Sequence, residues 1–189
     1  LILGLKDLTY ESKIIDLQAG EQHDAEYIKL NPNHVVPTLI CDEKILVESS
    51  LILEFLEDKF PEKSARSNIP EEIHQMRLWM KTIDAYHIHG GSITYGIGVR
   101  NILILKPKDE LDKEIDEIPD LEKRENRRDL IENGLEAKCV IEGLKQSKIL
   151  MDKLELGLRD REWFSGSKFG LADASIFPYV LRLSLIHIS

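Results

Sequence analysis

The chain has 189 residues, 42% hydrophobic and 31% charged, a balance expected of a soluble globular protein with core enough for one large domain or two small ones. Its net charge of −9 argues against nucleic acid as a partner, because phosphate binding needs a basic face, and confines any anion site to a local one. No apolar run approaches membrane-spanning length and no secretory pattern opens the chain. The two cysteines, Cys41 and Cys139, have neither metal-ligand spacing nor a disulfide framework, so a reduced, cytoplasmic setting is expected.

In chain order, residues 1–8 read as the tail of a helix and its exit, and residues 9–17 as a strand. Residues 18–24 are polar and contain Gly20, hence a loop. Residues 25–30 form a short helix or turn that ends before Asn31-Pro32. The stretch 35–50 is the organising one. An apolar run to Cys41, a polar turn Asp42-Glu43-Lys44 and a return strand 45–47 predict a hairpin. Glu48-Ser49 then opens an amphipathic helix closed by Pro61. Pro37 stands at a strand start, where an X-Pro bond is the common place for a cis peptide. Such a bond would turn the backbone N–H and C=O of Val36 outward, ready to pair with a peptide ligand. Ser49, at a helix N-terminus, offers a hydroxyl and free N–H groups to a carboxylate.

Residues 61–70, with two prolines and few apolar side chains, are the expected domain boundary. Beyond them the period is helical, with Ile73, Met76, Met80, Ile83 and His87 on one face. Gly90-Gly91, Gly96 and Gly98 interrupt an otherwise apolar segment, at about 1 kcal/mol each in a helix, which predicts close helix approach, a kink or a nearby ligand. Residues 106–128 are loop and solvated helix; acidic neighbours make a solvated face of Arg124, Arg127 and Arg128 rather than a basic patch. A long helix follows with Val140, Leu144, Ser147, Met151, Leu154 and Leu158 inward. A turn at residues 163–166 precedes a last helix starting at Gly170-Leu171-Ala172-Asp173 and kinked at Pro178. His87 and His89 lie two apart on a helix and face different sides, so no metal site is expected. Cys41 has no group beside it to lower its pKa and reads as packing.

Asn31-Pro32, Val36-Pro37-Thr38-Leu39, Glu48-Ser49, Ile52 and Phe55-Leu56-Glu57 together resemble the glutathione-binding half of the glutathione transferase family. Ala172-Asp173 resembles the family's capping box, with Gly170 where Ser or Thr is usual. The likeness implies an α/β thioredoxin-like domain over residues 1–62, lacking its first strand, then an all-helical domain over residues 69–189, truncated at its end. It implies a cis Val36–Pro37 bond and glutathione binding at Val36, Pro37, Glu48 and Ser49, with Val36 receiving the cysteinyl backbone and Glu48 and Ser49 seating the γ-glutamyl carboxylate. Val35 stands where the family often has a Gln that bonds the ligand. The thiol-activating residue of the family follows its first strand, so it is expected upstream of Leu1 and the chain as given is expected to be inactive. In the same way residues 10–15 would lose their sheet neighbour and lie detached or pair with residues 37–41.

The activity implied is glutathione thiolate attacking a small hydrophobic or aromatic electrophile, with glutathione as co-substrate, no metal, and a homodimer as the working form. Trp79, Tyr86 and Tyr95 lie on the helix that walls the family's second pocket, or else pack the core. Arg77-Leu78-Trp79, Asp84 and Tyr95-Gly96-Ile97 resemble the bacterial aryl-ether-cleaving branch more loosely. A non-catalytic module of the same fold and a glutaredoxin-like thiol–disulfide reductase stay open as alternatives. The capping likeness predicts a loss of about 1 kcal/mol for Asp173→Ala and a gain of a few tenths for Gly170→Ser.

Overall fold

The computed structural model describes residues 1–17, 19–118 and 120–186. They form two compact units, residues 1–80 with those from 161 onward, and residues 81–160. In chain order come α1 (Ile2–Leu5), α2 (Ala25–Leu30), β1 (Leu39–Cys41), β2 (Lys44–Leu46) and α3 (Ser49–Lys59). The 25-residue α4 (Pro70–Thr94) passes through a π-helical turn, Tyr95–Val99, into α5 (Arg100–Leu103). Then follow α6 (Lys108–Asp116), α7 (Leu121–Asn133), α8 (Lys138–Gly157) and α9 (Leu171–Ile186), the last belonging to the first unit.

The hairpin pairs Leu39 with Leu46, Ile40 with Ile45 and Cys41 with Lys44. Lys44 is therefore a strand residue, and the turn is the two residues Asp42 and Glu43 rather than three. Their φ angles of 48° and 64° are those of a type I′ turn, whose twist matches the strands it joins. Aspartate tolerates this left-handed region, whereas a glutamate there is held against its Cβ. Glu43→Gly is expected to stabilise the chain by about 0.5–1 kcal/mol. A thermal melt checks this, and an unchanged or lower Tm refutes it.

Residues 9–17 do not form the strand that their composition suggests. Residues 10–16 carry no regular structure, Tyr10, Ile14 and Leu17 are exposed, and the sheet among the described residues consists of β1 and β2. Detachment of residues 10–15 is thus the arrangement found. A strand needs a neighbour to satisfy its N–H and C=O groups, and without one apolar alternation has nothing to act on.

The first unit is tied together by a buried ion pair. Lys6 and Glu57 are 6% and 3% exposed, with Nζ 2.8 Å from Oε2. Lys6 also donates to the carbonyls of Phe60 and Lys63, at 2.8 and 3.1 Å, and so holds the chain as it leaves α3. Glu57 accepts from the Ser64 hydroxyl at 2.6 Å and the Ala65 N–H at 2.9 Å. Burial pushes the Glu57 carboxyl up, but Lys6, Ser64 and Ala65 outweigh it and hold the group below its ordinary value. On the next turns Glu54 takes Arg77 in a two-pronged contact, 2.9 Å from Nε and 2.5 Å from Nη2, and also meets Arg66.

The start of α9 corrects the capping expectation. Asp173 is buried and accepts from the Gly170 N–H at 3.0 Å, but also from Ser165 N–H at 3.1 Å and Phe164 N–H at 2.8 Å. The Ser165 hydroxyl, five residues before the cap, accepts from the Ala172 N–H at 3.0 Å. The reciprocal bond that glycine cannot make is thus supplied from the preceding turn. A Cβ on Gly170 would lie 2.2 Å from the Ala65 carbonyl oxygen, so the glycine is there for close approach.

In the second unit the inward face of α8 is Val140, Gly143, Ser147, Leu150 and Leu154, while Leu144, Met151 and Leu158 are exposed. The face is turned from the expected one because contact centres on a glycine. A Cβ at Gly143 would sit 2.8 Å from the His89 carbonyl oxygen. Gly96 plays the same part, since its Cβ would meet Val140 at 2.9 Å. Close helix approach is therefore the reason for Gly143 and Gly96, whereas a Cβ at Gly91 or Gly98 would meet nothing within 4 Å. Along α4 the buried line is Met76, Met80, Ile83 and Tyr86, and His87 is exposed. The three arginines of α7 are committed: Arg124 to the Ile118 carbonyl, Arg127 over the Tyr95 ring at 4.0 Å, and Arg128 to Asp112 and Asp116.

Candidate functional site

The site begins with the hairpin register. Leu39 pairs with Leu46, so Val36-Pro37, just before β1, and Glu48-Ser49, just after β2, lie at the same open end of the hairpin. The four residues singled out from the sequence thus come to one end of one hairpin. The Val36–Pro37 bond is cis. Val36 is exposed, and among the described residues its backbone N–H and C=O take no hydrogen-bond partner.

Glu48 turns the chain from β2 into α3 with φ 67° and ψ 109°. A non-glycine residue in so sparse a region costs on the order of 1–3 kcal/mol and marks a position that the surroundings over-determine. The first bond into α3 is Ile52 N–H to the Glu48 carbonyl, at 2.9 Å. The N–H groups of residues 49–51 precede it, have no intrahelical acceptor, and receive no side-chain cap. Ser49 is exposed, and its hydroxyl makes no hydrogen bond among the described residues. An exposed, unpaired backbone at Val36 and an open helix start therefore lie at the same hairpin end, suited to a short peptide bearing a carboxylate.

Side chains without an assigned role in the sequence support this edge. Tyr27 and Asn31 are buried, and both donate to the Val35 carbonyl at 2.7 Å. His34 stands at φ 57°, with its Nδ1 2.9 Å from that of His23. Asn31-Pro32 was a visible motif, yet its hydrogen bonds depend on a turn that spacing alone does not draw.

The aromatic candidates divide. Tyr86 is core, its hydroxyl 2.6 Å from the Ser147 hydroxyl. Trp79 meets Phe164 edge-on at 4.7 Å, and Tyr95 lies half-buried beneath Arg127. Cys139 is half-buried; burial and the nearby Asp129 push its thiol up, away from nucleophilic use. A polar cleft lined by Ser64, Arg66, Glu72 and Lys168 lies elsewhere in the first unit. Its cations are engaged, Arg66 with Glu54 and Asp58 and Lys168 with the Ser64 carbonyl, so it makes a poor anion site. Among the described residues no cluster of three or more His, Cys, Asp or Glu is placed to hold a metal, and no helix is long and apolar enough to cross a membrane.

Residues 1–64 match the glutathione S-transferase N-terminal domain family. Across 175 residues the chain is 29% identical to Protein LigF of Sphingobium sp. (strain SYK-6), covering 91% of this chain and 68% of LigF. The crystal structure of that β-etherase superposes with a TM-score of 0.84 at 28% identity, covering 95% of this chain and 75% of that one. Glutathione S-transferase GstB of Escherichia coli (strain K12) is 26% identical over 189 residues, 97% of this chain and 75% of GstB. A glutathione transferase from Burkholderia graminis, solved with two glutathione molecules per subunit, shares the fold, with a TM-score of 0.68 at 22% identity over 97% of this chain and 66% of that one. Residues 1–64 carry the glutathione S-transferase N-terminal domain, and over most of its length the chain is similar to glutathione transferases, with a thioredoxin-like N-terminal part followed by helices. Among these relatives it is similar to a β-etherase, LigF.

Proposed function

We propose that the chain serves a glutathione transferase-like enzyme in which glutathione thiolate attacks a small hydrophobic or aromatic electrophile. In this reading Val36, beside Pro37, receives the cysteinyl backbone of glutathione, while Ser49 and Glu48 hold its γ-glutamyl end. The carrying observation is the shared hairpin end, where an unpaired Val36 backbone and an open α3 start lie together. The reading takes residues 1–62 as the glutathione-binding part and residues 69–189 as the helical part. A homodimer in the cytoplasm is the working form it assumes. The likeness to a β-etherase favours an aromatic ether as the electrophile.

Ser49→Ala tests the seat. The hydroxyl makes no hydrogen bond among the described residues and Ser49 is exposed, so folding stability should move by less than about 0.5 kcal/mol. The bond it would offer goes to a charged carboxylate, and its loss should weaken glutathione binding by about tenfold or more. Isothermal calorimetry on the chain measures this. Equal affinity for wild type and variant removes Ser49 from the site.

A further inference from the structure

We infer that Tyr27 and Asn31 are positioning residues that aim the Val36 N–H at the ligand by fixing the Val35 carbonyl; this rests on the reading above. The Tyr27 hydroxyl donates to the Val35 carbonyl at 2.7 Å and lies 3.0 Å from Thr38 Oγ1. Asn31 Nδ2 donates to the same carbonyl at 2.7 Å and lies 3.3 Å from the same hydroxyl. A carbonyl oxygen has two lone pairs, and here both are taken. The bond between Val35 and Val36 is a trans peptide, so its C=O and N–H point in opposite directions from one plane. Drawing the carbonyl inward turns the Val36 N–H outward.

Asn31 is itself held on every side. It is 0% exposed, its Oδ1 accepts from the Asn33 N–H at 3.1 Å, and its own N–H donates to the Tyr27 carbonyl at 2.9 Å. Its carbonyl accepts from the His34 N–H at 3.0 Å. Val35 and Val36, by contrast, are 49% and 43% exposed, so their side chains give this peptide little apolar anchorage. Two buried polar side chains therefore hold an exposed peptide unit, and Thr38 ties the same clamp to the far side of Pro37. Val35 also stands where the family's ligand-binding Gln is common, which leaves the neighbouring backbone to carry more of the recognition.

The test uses the chain, glutathione and calorimetry. Tyr27→Phe keeps the ring and removes the hydroxyl, and Thr38→Val removes the hydroxyl shared by both donors. Each should raise the glutathione Kd about three- to tenfold. Thr38→Ser keeps the oxygen and should bind as wild type does. Ile93→Val, a buried change away from the clamp, should lower Tm and leave Kd unchanged. With no ligand present, the Val36 amide resonance should shift in Tyr27→Phe and stay in place in Ile93→Val. Failure of the wild-type chain to bind glutathione would refute the functional reading, whereas a shifted amide would still uphold the clamp. Wild-type affinity in Tyr27→Phe and Thr38→Val, or an unmoved Val36 amide, overturns the inference.

Discussion

Glu57→Gln is expected to cost about 3–5 kcal/mol, because it leaves the ammonium of Lys6 buried without its counter-charge. For a chain of this length that is a fall in Tm of about 10 °C or more. The double variant Lys6→Met with Glu57→Gln should recover part of the loss, since the orphaned charge goes with the lysine. Two single variants whose costs simply add would show that the pair is not coupled. The same contact sets a pH dependence. Glu57 is held below its ordinary value in the fold, so its contribution is fully present above the range in which a free glutamate titrates. That contribution is lost as pH falls further, through the depressed folded value, because the unfolded chain then binds the proton more readily. Wild type should therefore lose stability over this acid range more steeply than Glu57→Gln, in which the titrating group is gone. Parallel acid profiles would refute the assignment.

Asp173→Ala is expected to destabilise the chain by about 3 kcal/mol or more, well beyond an ordinary N-cap. Three buried N–H groups, of Phe164, Ser165 and Gly170, lose one charged acceptor at once. Gly170→Ser, which restores the common cap residue, should also destabilise, because its Cβ must displace the Ala65 carbonyl oxygen 2.2 Å away. Ser165→Ala should cost about 1 kcal/mol through loss of the bond from Ala172. Urea unfolding of the three variants orders them. A Gly170→Ser chain as stable as wild type would mean that the approach to Ala65 is not as tight as described.

Local signals were enough for what depends on neighbours in the chain. A proline after an apolar residue, polar turn residues and a period-3.6 stripe marked the hairpin, α3 and most helices, because turn chemistry and amphipathic burial act over a few positions. The likeness carried by Val36-Pro37 and Glu48-Ser49 pointed to the family whose N-terminal domain matches residues 1–64. Turn length and strand extent were less legible. A two-residue turn needs φ above zero at Glu43, and residues 9–17 have strand-like composition but find no partner strand among the described residues.

What only the tertiary structure decided is the set of contacts made between positions far apart. The sequence alone determined a helix start at Gly170, but not that Ser165 would cap it or that Ala65 would forbid a side chain there. It determined an amphipathic α8, but the inward face was set by Gly143 meeting the backbone of α4, not by the largest apolar side chains. Lys6 and Glu57, fifty-one positions apart, look like two more surface charges until folding buries them together. Periodicity registers which side of an element is apolar. Close approach, shared hydrogen-bond acceptors and buried charge depend on where a second element arrives, and that is settled by packing.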